Sequence, residues 1–445
     1  MAAPEFALPK WLLVPGAALF TASMAGFFGI ARVLGLDDYD LQVYLMGGNA
    51  YRHGQPVYDQ VMHSDYGSGY FTYPPITVLV FGPLSYLSLS KAHAIILVLA
   101  VAALVSIVWL TMRMIGARPG AGLIGATLAI AGAVVWLQPV YDTLVQGQIN
   151  LFIVFLVIAD FAFDGRRRWP TGVLIGVAAA VKIVPGIFIL YLLLNRRFRA
   201  AVTAGVTWAV LTALAFAAAW SDSVQFWFRG TFADSTRVAS PLTPGSVYNQ
   251  SIHGITVRLF GQHGGDLAWF PLAAIVGIGG LALAIVASRA AGQLAGVLMC
   301  ALTGLLVSPL TWHEHWVYIV PVLIWLGDVA RRLSRTAPVL AGALPALPGL
   351  PFMMWPQPIG GPGQVGPASI LSPARNLWED KGNHNPVVFL AGTAYVAVGL
   401  LVMLVTAWVL RHDFRGGRPR PAVGGTAGVP EARAAAPDGR ETSRV

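Results

Sequence analysis

The chain has 445 residues, of which 56% are hydrophobic and only 11% charged, and its mean hydropathy is +0.66. Soluble domains carry roughly a quarter charged residues, so this composition excludes a water-soluble globular protein and makes the lipid bilayer its partner. A net charge of +9 would suit nucleic acid, but the basic residues gather at the ends of apolar runs, which points to membrane orientation and no nucleic-acid partner.

A spanning helix needs about 20 apolar residues. The first such run, Trp11 to Leu36, is too long for a signal h-region and reads as an uncleaved helix. The chain leaves it through Asp37-Asp38-Tyr39-Asp40 into a long loop, 37–73. Asp40 is a candidate general base there, a role worth roughly 10²–10⁴-fold in rate; a solvated loop or helix cap is the alternative. Between Pro74 and Arg113 two apolar pieces occur, yet charge parity favours one crossing. Ala92 to Leu110 spans, and Pro75 to Leu89 re-enters from the outside. Ala121 to Leu137 and Leu151 to Phe163 are shorter and can cross when neighbouring helices shield them. At the outer turn between them lies Gln146-Gly147-Gln148-Ile149-Asn150, whose amides suit sugar recognition or turn capping.

The segment Thr171 to Leu194 carries arginines at both ends, Arg166 to Arg168 before it and Arg196, Arg197 and Arg199 after it. By the positive-inside rule both ends are cytoplasmic, so a hairpin of two half-helices fits better than a crossing. Its apex falls at Lys182-Ile183-Val184-Pro185, where proline breaks helical hydrogen bonding. A lysine at bilayer depth costs about 3 kcal/mol on insertion scales and therefore faces a cavity. Its partner is an anionic phosphate or a structural counter-ion.

Ala201 to Trp220 spans next, followed by a second outer loop, 221–266, that holds Val247-Tyr248-Asn249-Gln250-Ser251-Ile252-His253-Gly254, whose amides and hydroxyls suit sugar recognition or turn capping. Asn249-Gln250-Ser251 also matches a glycosylation acceptor. Leu267 to Ala287 spans and Leu294 to Val307 is a shorter run; the single cysteine, Cys300, is a core residue there with no disulfide partner. Ser308 to Trp316 forms a polar and aromatic knot with His313, Glu314 and His315. The His-x-His spacing without cysteine does not specify zinc; phosphate or sugar contacts fit better than a metal, and an interfacial aromatic belt with incidental histidines is the alternative. Val317 to Leu326 and Val339 to Trp355 are short runs, 356–386 is a third outer loop, and Val387 to Leu410 is the last span. The tail 411–445, rich in Gly, Pro, Ala and Arg, is expected to be a disordered cytoplasmic end. The fold class is thus all-α, a polytopic transmembrane helical protein of about 10–12 membrane segments including half-helix hairpins.

Asp40-Leu41-Gln42-Val43-Tyr44 with Gly54 and Tyr58, then Tyr73-Pro74-Pro75, Gln146 to Asn150, Lys182 to Pro185, and Ser308 to Trp316 together resemble the actinobacterial polytopic mannosyltransferases. These form glycosyltransferase family 87 of the GT-C superfamily, and the likeness covers nearly the whole chain before the tail. It implies a GT-C-like catalytic domain over residues 1–410, in the plasma membrane, with its site facing the periplasm. The implied reaction moves mannose from polyprenyl-phosphate-mannose to a glycolipid acceptor of the phosphatidylinositol mannoside or lipomannan type, forming α-1,2 linkages with inversion, and needs no cofactor or metal. By the same resemblance Asp40 is the base and His315 lies near the donor phosphate; the charge chemistry adds Lys182, a protonated His315 and the neighbouring His313 as groups that meet that phosphate. Tyr44, Tyr73, Gln146, Gln148, Asn150, Asn249, Gln250, His253 and Glu314 are the candidate substrate-binding residues, chosen for side chains that donate and accept hydrogen bonds to sugars. The family's paired histidines are replaced here by Glu314-His315 with an extra His313. A decaprenyl-phosphate-dependent arabinofuranosyltransferase and a transporter or flippase for lipid-linked sugars are the alternatives.

Overall fold

The computed structural model describes residues 5–34, 38–64, 67–165, 169–234, 237, 244–333, 338–353, 389, 390 and 392–415. The expected loop 356–386 and the tail from 416 onward lie outside them. In chain order the helices are α1 (Leu13–Leu34), α2 (Tyr39–Arg52), α3 (Val78–Leu84), α4 (Leu89–Met114), α5 (Ala121–Val134), α6 (Gln138–Val145), α7 (Asn150–Ala162) and α8 (Val173–Val181). There follow α9 (Ile187–Leu194), α10 (Phe198–Ala218), α11 (Trp220–Phe228), α12 (Ile252–Ala290), α13 (Gln293–Val307), α14 (Ile319–Leu333), α15 (Pro338–Met353) and α16 (Ala394–Arg415). The described strands are a short antiparallel pair, β1 (Met62–Ser64) with β2 (Gly67–Gly69), in register Met62 to Gly69.

Among the described residues, five helical stretches are long and apolar enough to cross a bilayer: Lys10–Arg32, Leu89–Met114, Phe198–Ala218, Ile252–Ala290 and Ala394–Arg411. They coincide with the five long apolar runs of the sequence, and the chain is a multi-pass membrane protein. The shorter runs fold as shorter helices packed among these. α5 and α6 are bent by 81° at their junction, where Leu137 is extended and Pro139 sits in the first turn of α6; proline is pre-organised for a helix start. α1 lies directly on α5 along a glycine seam. A Cβ on Gly16 would stand 2.0 Å from the Gly125 carbonyl oxygen, and one on Gly125 would stand 2.2 Å from that of Leu12. Small residues let membrane helices approach to backbone contact in this way. α13 is buried at every position from Leu294 to Leu306, Cys300 among them, as expected of a helix that is apolar all round.

The segment 171–194 is the hairpin that its flanking arginines predict. α8 ends at Val181, Lys182 is extended, and Pro185 lies in a short 3-10 turn before α9 returns. α8 runs alongside α10 in the same direction: Gly172 lies against Ala200, Gly176 against Ala204 and Thr207, and Ala180 clusters with Ala215. Gly172 adopts φ +109 within reach of the Ala200 carbonyl, so glycine is the residue that fits that crossing. α9 then descends to Asn195, and Arg197 pairs with Asp164 at 2.6 Å. Asp164 also accepts from the Thr171 hydroxyl at 2.6 Å. Both open ends of the hairpin therefore meet at one level, that of the arginines, with Lys182 at the other.

Two predicted loops contain more structure than their polarity suggested. Loop 37–73 holds α2 and the strand pair, and loop 221–266 holds most of α11 and the first part of α12. Ser251 starts α12 by accepting from the Gly254 amide, and Gly261 breaks the helix at φ 72. The two regions are joined where the Asp222 carboxylate accepts from the Val57 amide at 3.0 Å. The piece at 75–89 is represented by α3, which folds against α2; a Cβ on Gly48 would stand 2.4 Å from the Phe81 backbone.

Candidate active site

Three junctions converge at the apex of the hairpin. α2 brings Asp40 and Tyr44, the turn after α6 brings Gln148 and Asn150, and the 3-10 segment His313–Tyr318 brings His313, Glu314 and His315. The turn after α6 seats directly on the start of α2, because the Leu41 amide donates to the Gln146 carbonyl at 3.1 Å. Gly147, at φ +66, lies against the Leu41 side chain.

Lys182 stands at the centre. Its Nζ donates to Asn150 Oδ1 at 2.7 Å and to His315 Nε2 at 2.9 Å, and it lies 5.7 Å from the centre of the Tyr73 ring. A chain of amides and hydroxyls extends from it. Asn150 Nδ2 and the Tyr44 hydroxyl both donate to Gln148 Oε1, at 3.2 and 3.1 Å. The Tyr73 hydroxyl lies 2.8 Å from that of Tyr44, and Gln148 Nε2 donates to Glu314 Oε1 at 3.1 Å. Asp40 is half-buried at the edge of this cluster, and its charge acts on Tyr44, Tyr73, Lys182 and His313. Burial, then the charge of Asp40, pushes the Tyr73 hydroxyl well above its ordinary range.

His313 lies between two carboxylates. Nε2 is 2.5 Å from Asp142 Oδ2 and Nδ1 is 3.0 Å from Glu314 Oε2. The second contact is an ion pair without hydrogen-bond alignment, since both of its atoms lack a directed partner. Burial alone would expel a proton from this imidazole, but Glu314 and Asp142 outweigh it and hold His313 up at about 9. His315 behaves oppositely. Burial, followed by the charges of Lys182 and His313, holds it well below its ordinary range, so it is a neutral acceptor for Lys182. The positive charges beside the apex therefore fall to Lys182 and His313, whereas the charge reading of the sequence counts a protonated His315.

A narrow pocket opens beside Lys182 and His315 and continues between Ile153, Val154, Pro185, Phe188, Leu305 and Tyr318. Its walls are apolar except at the Lys182 end, where Asn150, Thr311 and His315 also face it.

Three expected substrate residues bond to backbone groups behind the knot, and His253 to the Asp266 carboxylate as well. Asn249 Nδ2 donates to the Pro309 carbonyl at 3.0 Å while its Oδ1 accepts from the Thr311 amide at 3.0 Å. Gln250 Nε2 donates to the Val247 and Gly392 carbonyls. His253 lies between the Pro309 carbonyl, at 2.9 Å, and Asp266, at 2.7 Å. They brace the segment that carries the histidines. Gln146 joins the cluster through its carbonyl, as described. Conversely, Asp142 went unnoticed in the sequence although it is a lone carboxylate between two apolar runs, a pattern that by itself marks a functional candidate. Among the described residues no group of three or more His, Cys, Asp or Glu side chains is arranged to hold a metal ion.

The model of glycosyltransferase family 87 matches residues 71–309, which takes in Tyr73, Gln148, Asn150 and Lys182 and lies between Asp40 and the histidines. The chain is 33% identical over 345 residues to the polyprenol-phosphate-mannose-dependent alpha-(1-2)-phosphatidylinositol mannoside mannosyltransferase of Mycobacterium tuberculosis, covering 73% of this chain and 78% of that one. It is 32% identical over 312 residues to the corresponding phosphatidylinositol pentamannoside mannosyltransferase of the same organism, covering 69% and 70%. An alpha-(1->3)-arabinofuranosyltransferase of Mycobacterium tuberculosis is 30% identical over 183 residues, covering 40% of this chain and 41% of that one. No solved structure matches.

Proposed function

The chain belongs to glycosyltransferase family 87, and from that premise we propose that it transfers mannose from polyprenyl-phosphate-mannose to a phosphatidylinositol mannoside type of glycolipid, forming an α-1,2 linkage. The observation that carries this reading is the join between an apolar pocket and a lysine: the pocket leads to Lys182, on which Asn150 and His315 converge. The apolar walls match the chemistry of a prenyl chain, and the cation at their end matches that of its phosphate.

In this mechanism Asp40 takes the proton of the acceptor hydroxyl as that oxygen attacks the anomeric carbon. The bond from the anomeric carbon to the phosphate oxygen breaks, and polyprenyl phosphate leaves with the bonding pair. The charge that develops on the phosphate is met by Lys182 and, behind it, by His313. Preorganised charge in a water-poor site contributes more than it would in water. Attack opposite the leaving group inverts a β-linked donor to an α product. Tyr44, Tyr73, Gln148, Asn150 and Glu314 orient the sugars and the lysine.

The site sits at the end of α7 away from the arginines. Asn150 begins that helix and Asp164 follows its end, so a rise of 1.5 Å per residue puts about 20 Å between them. With the arginines inside, the site faces the outer side of the plasma membrane, where residues 1–410 form the catalytic domain. The test is mannose transfer by the full chain in nanodiscs, from synthetic polyprenyl-phosphate-mannose to phosphatidylinositol mannosides. Wild type is expected to form product and Asp40→Asn to lose about 10²–10⁴-fold. Equal rates would remove Asp40 as base. The partial likeness to an arabinofuranosyltransferase makes decaprenyl-phosphate-arabinose the second donor to offer, and product from it alone would replace mannose in this reading.

A further inference from the structure

Asp38 stands at the N-cap of α2, where an aspartate carboxylate ordinarily accepts from the amide two or three residues on. Here it makes no such cap bond. Its carboxylate turns instead to Nδ1 of His93, one turn into α4. The other ring nitrogen, Nε2, meets the Leu144 carbonyl at 3.0 Å in the last turn of α6. His93 is 2% exposed, so a side chain well inside the protein joins three elements. Two of them carry the proposed chemistry: Asp38 lies two residues before Asp40, and Leu144 two residues after Asp142, the partner of His313. The Leu41 amide on the Gln146 carbonyl closes the same junction from the side.

From this arrangement we infer that His93 is a positioning residue for Asp40. It fixes the first turn of α2 against α6, and so holds the carboxylate at a set distance from the phosphate side of the site. The helix forgoes its own cap to make this tie, which places the function of Asp38 in orientation and not in local helix stability. The inference rests on the reading of Asp40 as the base.

The experiment compares wild type, His93→Gln, Asp38→Asn, Asp40→Asn and the His93→Gln/Asp40→Asn double variant, as full chains in nanodiscs. A small misplacement of a catalytic group costs up to about 10²-fold, and His93→Gln is expected to lower kcat on that scale with KM for the donor nearly unchanged. Asp38→Asn keeps most activity, because an amide offers Nδ1 either a donor or an acceptor. In the Asp40→Asn background the His93 substitution adds no further loss, since no carboxylate remains to be placed. A purely structural role would instead multiply the two losses. Independently of turnover, amide hydrogen exchange over residues 40–43 is expected to be about 10-fold faster in His93→Gln. The inference is overturned if kcat is unaffected, if the two losses multiply, or if exchange in that turn is unchanged. Should His93→Gln fail to fold, Asp38→Ala cuts the same tie from its less buried side and is judged by the same criteria. If wild type transfers no mannose, the functional reading fails by itself and the exchange rates still decide the clamp.

Discussion

Lys182→Met separates the electrostatic work of the lysine from its packing, because methionine keeps the unbranched stem of the side chain, one atom shorter, and removes the charge. The substitution deletes two hydrogen bonds, to Asn150 Oδ1 and His315 Nε2. Leaving a buried acceptor unpaired costs about 1–3 kcal/mol, and this is partly offset because a buried cation no longer has to be desolvated. Stability should therefore change little. Catalysis should not escape: losing one preorganised contact to a developing anion costs about 10²–10³ in kcat. A second consequence follows from His315, whose basicity is held down by burial first and by the Lys182 charge next. Without that charge His315 takes a proton more readily, so the variant should recover part of its rate as pH is lowered, and adding His315→Gln should abolish the recovery. The assay is single-turnover mannose transfer at several pH values, with thermal unfolding as the control for folding. A kcat within about 3-fold of wild type, against the loss expected for such a contact, would refute the assignment, as would a flat acid limb.

His313 is held at about 9 against an ordinary 6.5, so folding takes up a proton between those values. The stability this provides is complete below about 6.5 and fades as pH rises through about 9; melting temperatures should fall across that window, and less steeply in His313→Gln. Asp142→Ala breaks a buried pair and should destabilise by about 3–5 kcal/mol, read as a drop in melting temperature; a change within error would mean that Glu314 alone satisfies His313. Gly172→Ala places a Cβ 2.1 Å from the Ala200 carbonyl oxygen at φ +109 and should cost about 2–4 kcal/mol. Gly54→Ala, at φ +64 with open space around it, should cost only about 1–2 kcal/mol, and equal melting temperatures for the two would refute the crossing at Gly172.

Much of the plan is local and therefore legible along the chain. Five apolar runs of membrane length became the five long helices, because a segment that is apolar over its whole length has no better solution in lipid than to satisfy its backbone internally. The hairpin was legible for a different reason: arginines at both ends and Lys182-Ile183-Val184-Pro185 in the middle leave one consistent arrangement. Lys182 stood out because an isolated charge there demands a partner.

Which partner it finds depends on distances that no local pattern encodes. Asn150 and His315 are 32 and 133 residues away from Lys182, and packing of α7, the hairpin and the 3-10 segment brings them together. The same holds for Asn249, Gln250 and His253, whose polar side chains look equally suited to sugars in the sequence. Only the packing of α12 behind residues 308–316 sets them on backbone groups and, for His253, on Asp266 as well. The proton on His313 and its absence from His315 are tertiary in the same sense. Two neighbouring histidines of one segment differ because one faces Asp142 and Glu314 and the other faces Lys182. Hydropathy and charge act locally, so a polytopic membrane protein and the residue types of its site can be read along the chain. The tertiary structure decided which of those residues face one another, since burial and Coulomb interaction depend on proximity in space.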